Sequence, residues 1–104
     1  MSFTLTWSAE ARADLRRLES HLIEIALERG DFDLPDRAMD AIDRSMLLLE
    51  INPYACRMLD QRRYERELVI PFGKSGYLAF YQIISGTEVV VGAIRHQRED
   101  DYDF

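Results

Sequence analysis

One cysteine, Cys56, leaves this 104-residue sequence without any possible internal disulfide, so a cross-linked secreted scaffold is excluded. No stretch approaches the ~20 consecutive apolar residues that span a bilayer, so no membrane partner is expected. The opening from Met1 to Trp7 is short and interrupted by polar residues, unlike a signal peptide, and the expected location is the cytoplasm. A glycine-rich phosphate loop, paired metal ligands and a serine-centred triad are all missing. Neither a cofactor nor a metal is expected. Positive charge is also in short supply: the net charge of −6 argues against holding nucleic acid through the whole surface, and no sequence-specific nucleic-acid binding is expected.

What is present describes an ordinary globular protein. Apolar residues make up 47% and charged residues 31%, a balance that can form a core and is unlike that of a disordered chain. The length suits one domain over 1–104. A chain of this size buries roughly two-thirds of its unfolded surface, enough to fold without a staple. The charge is uneven. Residues 1–51 carry 6 basic and 11 acidic groups, residues 52–98 carry 7 basic and 4 acidic, and the last six carry four acids and no base. An anionic partner would therefore meet the later half of the chain, opposed by the acidic run Glu99-Asp100-Asp101-Tyr102-Asp103.

Phe3, Leu5 and Trp7 alternate with threonines, which predicts a first strand. Ser8 is placed to cap a helix, Glu10 suits its positive end, and Leu15, Leu18, Leu22, Ile25 and Ala26 form one apolar stripe ending near Gly30. Pro35 suits the first position of a second helix, whose stripe is Ala38, Ala41, Ile42, Met46 and Leu49 and whose stop is Asn52-Pro53. The two form a helical hairpin. Tyr54 to Glu65 reads as irregular. From Arg66 the pattern predicts a strand through Phe72, a loop at Gly73–Gly76, a central strand at Tyr77–Ile84, a turn at Ser85–Thr87 and a last strand at Glu88–Arg95. Gly92 and Ala93 suggest a close approach of another backbone. The expected fold is α+β in the order β-α-α-β-β-β, an antiparallel sheet with the helical hairpin on one face.

The run Arg66-Glu67-Leu68 followed by Tyr77 and Tyr81 resembles the "REL…Y…YR" pattern of ParE-type toxins in the ParE/RelE superfamily. The ending Arg95-His96-Gln97-Arg98-Glu99-Asp100, the opening Trp7-Ser8-Ala9-Glu10-Ala11 and the Asn52-Pro53 stop are similar to the same family. The resemblance covers nearly the whole chain and implies the toxin of a type II toxin–antitoxin system, of the kind that stabilises plasmids. The implied partner is a cognate antitoxin with a disordered tail. Two branches share the implied fold: one cleaves messenger RNA on the ribosome, and the ParE branch inhibits DNA gyrase without nuclease activity. A third reading is a non-toxic relic of the fold, kept as a binding partner. Fold alone does not separate these.

An RNA endonuclease needs positioned acid–base groups and several cations around one phosphate. Arg95, His96 and Tyr81 are the candidates for that alternative, and His96 has the right intrinsic pKa for proton transfer. The set is thin, because Leu78, Phe80 and Gln82 beside the tyrosines are not cationic and the chain is acidic. The favoured expectation is therefore a gyrase-binding toxin with no catalytic residues. Its expected target contacts are Arg66, Lys74, Arg95, His96 and Arg98. Its expected antitoxin contacts are Leu15, Leu18, Leu22, Ile42, Met46, Arg66, Tyr77 and Arg95. His21 reads as a surface or half-buried residue, Cys56 as a packed thiol and Arg62-Arg63 as a solvated loop pair.

Overall fold

The structure is a computed structural model that describes residues 2–97. The chain opens with β1 (Thr4–Trp7) and turns at Ser8 into α1 (Ala9–Arg29). The Ser8 hydroxyl accepts the Ala11 N–H at 3.0 Å, satisfying one of the free donors of the first turn. Gly30 closes α1 in a left-handed conformation, φ 71°, which glycine adopts without the penalty of a Cβ. α2 (Leu34–Ile51) starts one residue before Pro35, and Asp33 at its cap position makes no side-chain capping bond. Asp31 and Asp33 instead hold Arg37 across the connection. That pairing, chiefly the hydrogen bond from Arg37, lowers the Asp31 pKa and raises that of Arg37. Asn52 ends α2, and Pro53–Ala55 make a single 3-10 turn.

The rest of the chain is sheet: β2 (Arg57–Leu59), β3 (Arg62–Ile70), β4 (Tyr77–Ile83) and β5 (Glu88–His96). The strand order is β1-β5-β4-β3-β2. The helices-early, strands-late α+β plan holds, with β4 central. Two features go beyond it. β1 runs parallel to β5, so the sheet is mixed. The segment read as irregular forms a hairpin of β2 and the first half of β3, turned by Asp60 and Gln61 at φ 46° and 63°. Two consecutive positive-φ residues match the twist of a tight hairpin, but Asp-Gln is a weak signal for it beside Asn-Gly or Asp-Gly.

Leu22, Ile42 and Leu49 from the helices are fully buried against Ile70, Tyr77 and Val89 of the sheet. In β5 the inward residues are Val89 and Val91, then Ile94 and His96. The change of phase falls at Gly92, where Phe80 faces Ala93 but Tyr81 faces Val91. Gly92 is thus the extra residue of a β-bulge. A Cβ there would meet only the Phe80 carbonyl oxygen, at 3.7 Å, so no crowding backbone requires a glycine at this position. The bulge also ends the β1 pairing, whose last partners are Trp7 and Val91.

Candidate functional site

Among the described residues, the outer edge of β5 beyond Val91 has no strand beside it, and Ser8 and α1 supply its partners. The Ser8 hydroxyl donates to the Gly92 carbonyl at 3.0 Å. Asp14, only 4% exposed, accepts the Ile94 N–H at 3.0 Å and Arg95 Nη1 at 2.6 Å, and it also pairs with Arg17. One carboxylate thus satisfies a backbone donor that the sheet leaves free and holds two guanidinium groups at the mouth of a cleft. The cleft measures about 420 Å³; Leu18 and Ile94 are its apolar wall, and Arg17, His21, Arg95 and His96 its basic one. Asp14 escaped the sequence reading. Its signal was positional: it lies three residues after Ala11 and four before Leu18, within the buried stripe of α1.

The expected target contacts separate into two places. Lys74 is exposed in the β3–β4 loop, and His96 and Arg95 end β5 beside it. His96 is 1% exposed, with its Nε2 3.3 Å from the Ser75 hydroxyl and its ring edge-on to Tyr77 at 5.7 Å. Arg66 lies elsewhere, near the 3-10 turn. It donates to the carbonyls of Tyr54 and Cys56, both at 2.8 Å, and of Arg63 at 2.9 Å. Arg98 and the acidic run after it lie outside the described residues. Of the expected antitoxin contacts, Leu22, Ile42, Met46 and Tyr77 are sealed in the core, Leu15 is partly buried, and Leu18 and Arg95 reach the cleft.

Tyr81 is 3% exposed and donates its hydroxyl to the Pro53 carbonyl at 2.5 Å. Burial, followed by a hydrogen bond with Cys56, raises its pKa strongly. Burial alone pushes Tyr77 up to about 12. Below pH ~10 both phenols are neutral in the folded and unfolded chain alike. Above it the unfolded chain loses protons first, so folding stability should fall as pH climbs from 10 towards 12. The Tyr77 share should be up to about 2 kcal/mol, checked by urea denaturation across that range with Tyr77→Phe as the variant that removes this share and leaves that of Tyr81. Among the described residues, no three His, Cys, Asp or Glu side chains gather as a metal site, and no helix is long and apolar enough to cross a membrane.

A helical hairpin on one face of a five-stranded sheet is an α+β fold with a counterpart among solved structures. The chain is similar to a structure described as the chromosomal ParDE TA system from P. aeruginosa, with a TM-score of 0.62 and 17% sequence identity, over 91% of this chain and 96% of that one. No curated protein matches it in sequence. The family model described as "ParE toxin of type II toxin-antitoxin system, parDE" matches residues 5–101. The chain belongs to that ParE toxin family.

Proposed function

We propose that this ParE-family toxin acts by binding DNA gyrase, not by cutting RNA, and that a cognate antitoxin holds it in check in the cytoplasm. The observation that carries the binding reading is that the proton-transfer candidates are each committed elsewhere, with Tyr81 apart from the cleft that Arg95 and His96 line. His96 is buried, the Tyr81 hydroxyl is committed to a carbonyl, and Arg95 is held by the Asp14 carboxylate. A phosphorane-stabilising site needs such groups turned towards one point in space. Gyrase as the target follows from the ParE branch that the sequence resembles, and gyrase held in an inhibited state by a bound protein requires only differential affinity for that state.

The antitoxin reading is supported by the cleft between α1 and β5. An acidic, apolar tail would set carboxylates against Arg17 and Arg95 and cover Leu18 and Ile94, ordering as it binds. A supercoiling assay with purified chain tests the target. Inhibition at micromolar protein, relieved by antitoxin, is the expected result. Uninhibited gyrase, alongside cleavage of ribosome-bound message, would reverse the assignment in favour of an RNA endonuclease.

A further inference from the structure

The sheet carries a second hollow, at the end away from Lys74 and His96, that neither reading above uses. It measures about 260 Å³ and is lined by Tyr54, Tyr64, Ile83, Ile84, Ser85 and Gly86. Two tyrosines face one small space, and both stay open to solvent, 40% and 49% exposed. Each has a guanidinium over its ring: Arg66 Cζ lies 5.3 Å from the Tyr54 centroid and Arg63 Cζ 5.6 Å from that of Tyr64. Arg66 is fixed by its three carbonyl bonds, so the Tyr54 ring rests against an immobile cation. Much of the ordering cost of an aromatic platform is thereby met before any ligand arrives.

The charges around the hollow are not alike. Glu67 pairs with Arg57 and Glu65 with Arg62, whereas Arg63 is exposed and pairs with no carboxylate among the described residues. Among the described residues, no acid lines the hollow. Such a place suits a ligand with a flat π-face and a negative charge close to it. We propose that this notch binds single-stranded nucleic acid without sequence preference, with a base stacked on the tyrosines and a phosphate at Arg63. Aromatic rings interleaved with arginines are the general means of such binding, because every base offers a π-face. A duplex hides those faces in its own stack, so it should bind less well. A peptide anchor fits less well too: the Ser85–Gly86 turn gives the hollow a polar wall, and its cation would go unanswered. The net charge of −6 should keep the affinity modest and strongly salt-dependent.

The proposal stands apart from the gyrase assignment, and its test needs no gyrase. Fluorescence anisotropy of a labelled oligothymidylate with the purified chain at low salt should show micromolar binding, tighter than to a duplex of equal length. Tyr64→Ala should weaken it by roughly tenfold or more, while Tyr64→Phe retains it. Arg63→Gln should weaken it and reduce the slope of log affinity against log salt by about 0.7. Arg44→Gln, which removes an exposed cation on α2, should change neither. Absence of binding, duplex preference, or affinity indifferent to both notch variants would overturn the proposal. So would loss of antitoxin binding on Tyr64→Ala in a chain that ignores oligonucleotides, which would give the notch to a protein.

Discussion

Asp14→Ala should destabilise the fold by about 2–3 kcal/mol, lowering Tm by roughly 10–20 °C for a domain of this length. The cost comes from what the carboxylate holds. Without it the Ile94 N–H, on the edge of β5 turned away from β4, where no strand of the described residues pairs, is left buried and unbonded, a loss of about 1–3 kcal/mol. Arg95 and Arg17 also lose their acceptor, but with side chains 41% and 68% exposed they can turn back to water, so the ionic part stays below that of a fully buried pair. Asp14→Asn keeps an oxygen for Ile94 and discards the charge, and its cost should be about half as large. Urea denaturation measures both. A double-mutant cycle with Arg95→Ala should return a coupling of about 1 kcal/mol. If Asp14→Ala stays within about 0.5 kcal/mol of the parent, the carboxylate is not what joins α1 to β5. The same variant should weaken antitoxin binding, since Asp14 holds Arg95 at the cleft where the tail is proposed to lie.

This dependence explains why some of the molecule could be foreseen from its residues and some could not. The helices announce themselves through local chemistry: Ser8 caps, Gly30 turns back, and Asn52-Pro53 stops the second stripe. The central place of β4 follows from its apolar character on both faces. What stayed hidden depends on partners distant in sequence. Nothing near Thr4–Trp7 says that it will lie parallel to Glu88–Val91. Nothing in Asp60-Gln61 strongly marks a hairpin. The phase slip at Gly92, which turns Ile94 and His96 inward, appears only once β4 is laid beside β5.

The candidate site divides in the same way. Arg95 was identifiable as a cation at a strand end, but the buried carboxylate that positions it was not, because an aspartate in a helical stripe looks like an exposed one until the facing strand is known. Leu22, Ile42 and Met46 carry the apolar stripes expected to meet a partner, and the structure places them in the core. Periodicity identifies an apolar face without saying whether the chain itself or another protein covers it.

Gly76→Ala is the substitution for which geometry predicts the other large effect, about 3 kcal/mol or more. Gly76 sits at φ 92°, and a Cβ built on it would lie 2.1 Å from the Ile70 carbonyl oxygen and 2.8 Å from the Phe72 nitrogen. Both obstacles are backbone of the same hairpin, so relief requires moving the end of β3. That movement has three further consequences. The Gly76 carbonyl accepts the Gln97 N–H at 3.0 Å, Phe72 stacks on Tyr77 with centroids 6.1 Å apart, and the Ser75 hydroxyl meets His96. Opening the corner therefore loosens the last residues of β5 and the core ring beneath them together. Gly73, in the same loop at φ 60°, is the internal control, because a Cβ there meets nothing within 4 Å. Gly73→Ala should cost about 1 kcal/mol, the penalty of a left-handed conformation alone. The difference between the two variants in chemical denaturation isolates the clash from the backbone preference. Equal losses would mean that the corner yields to a methyl group, and the close Ile70–Gly76 approach would then not be what closes the end of the sheet.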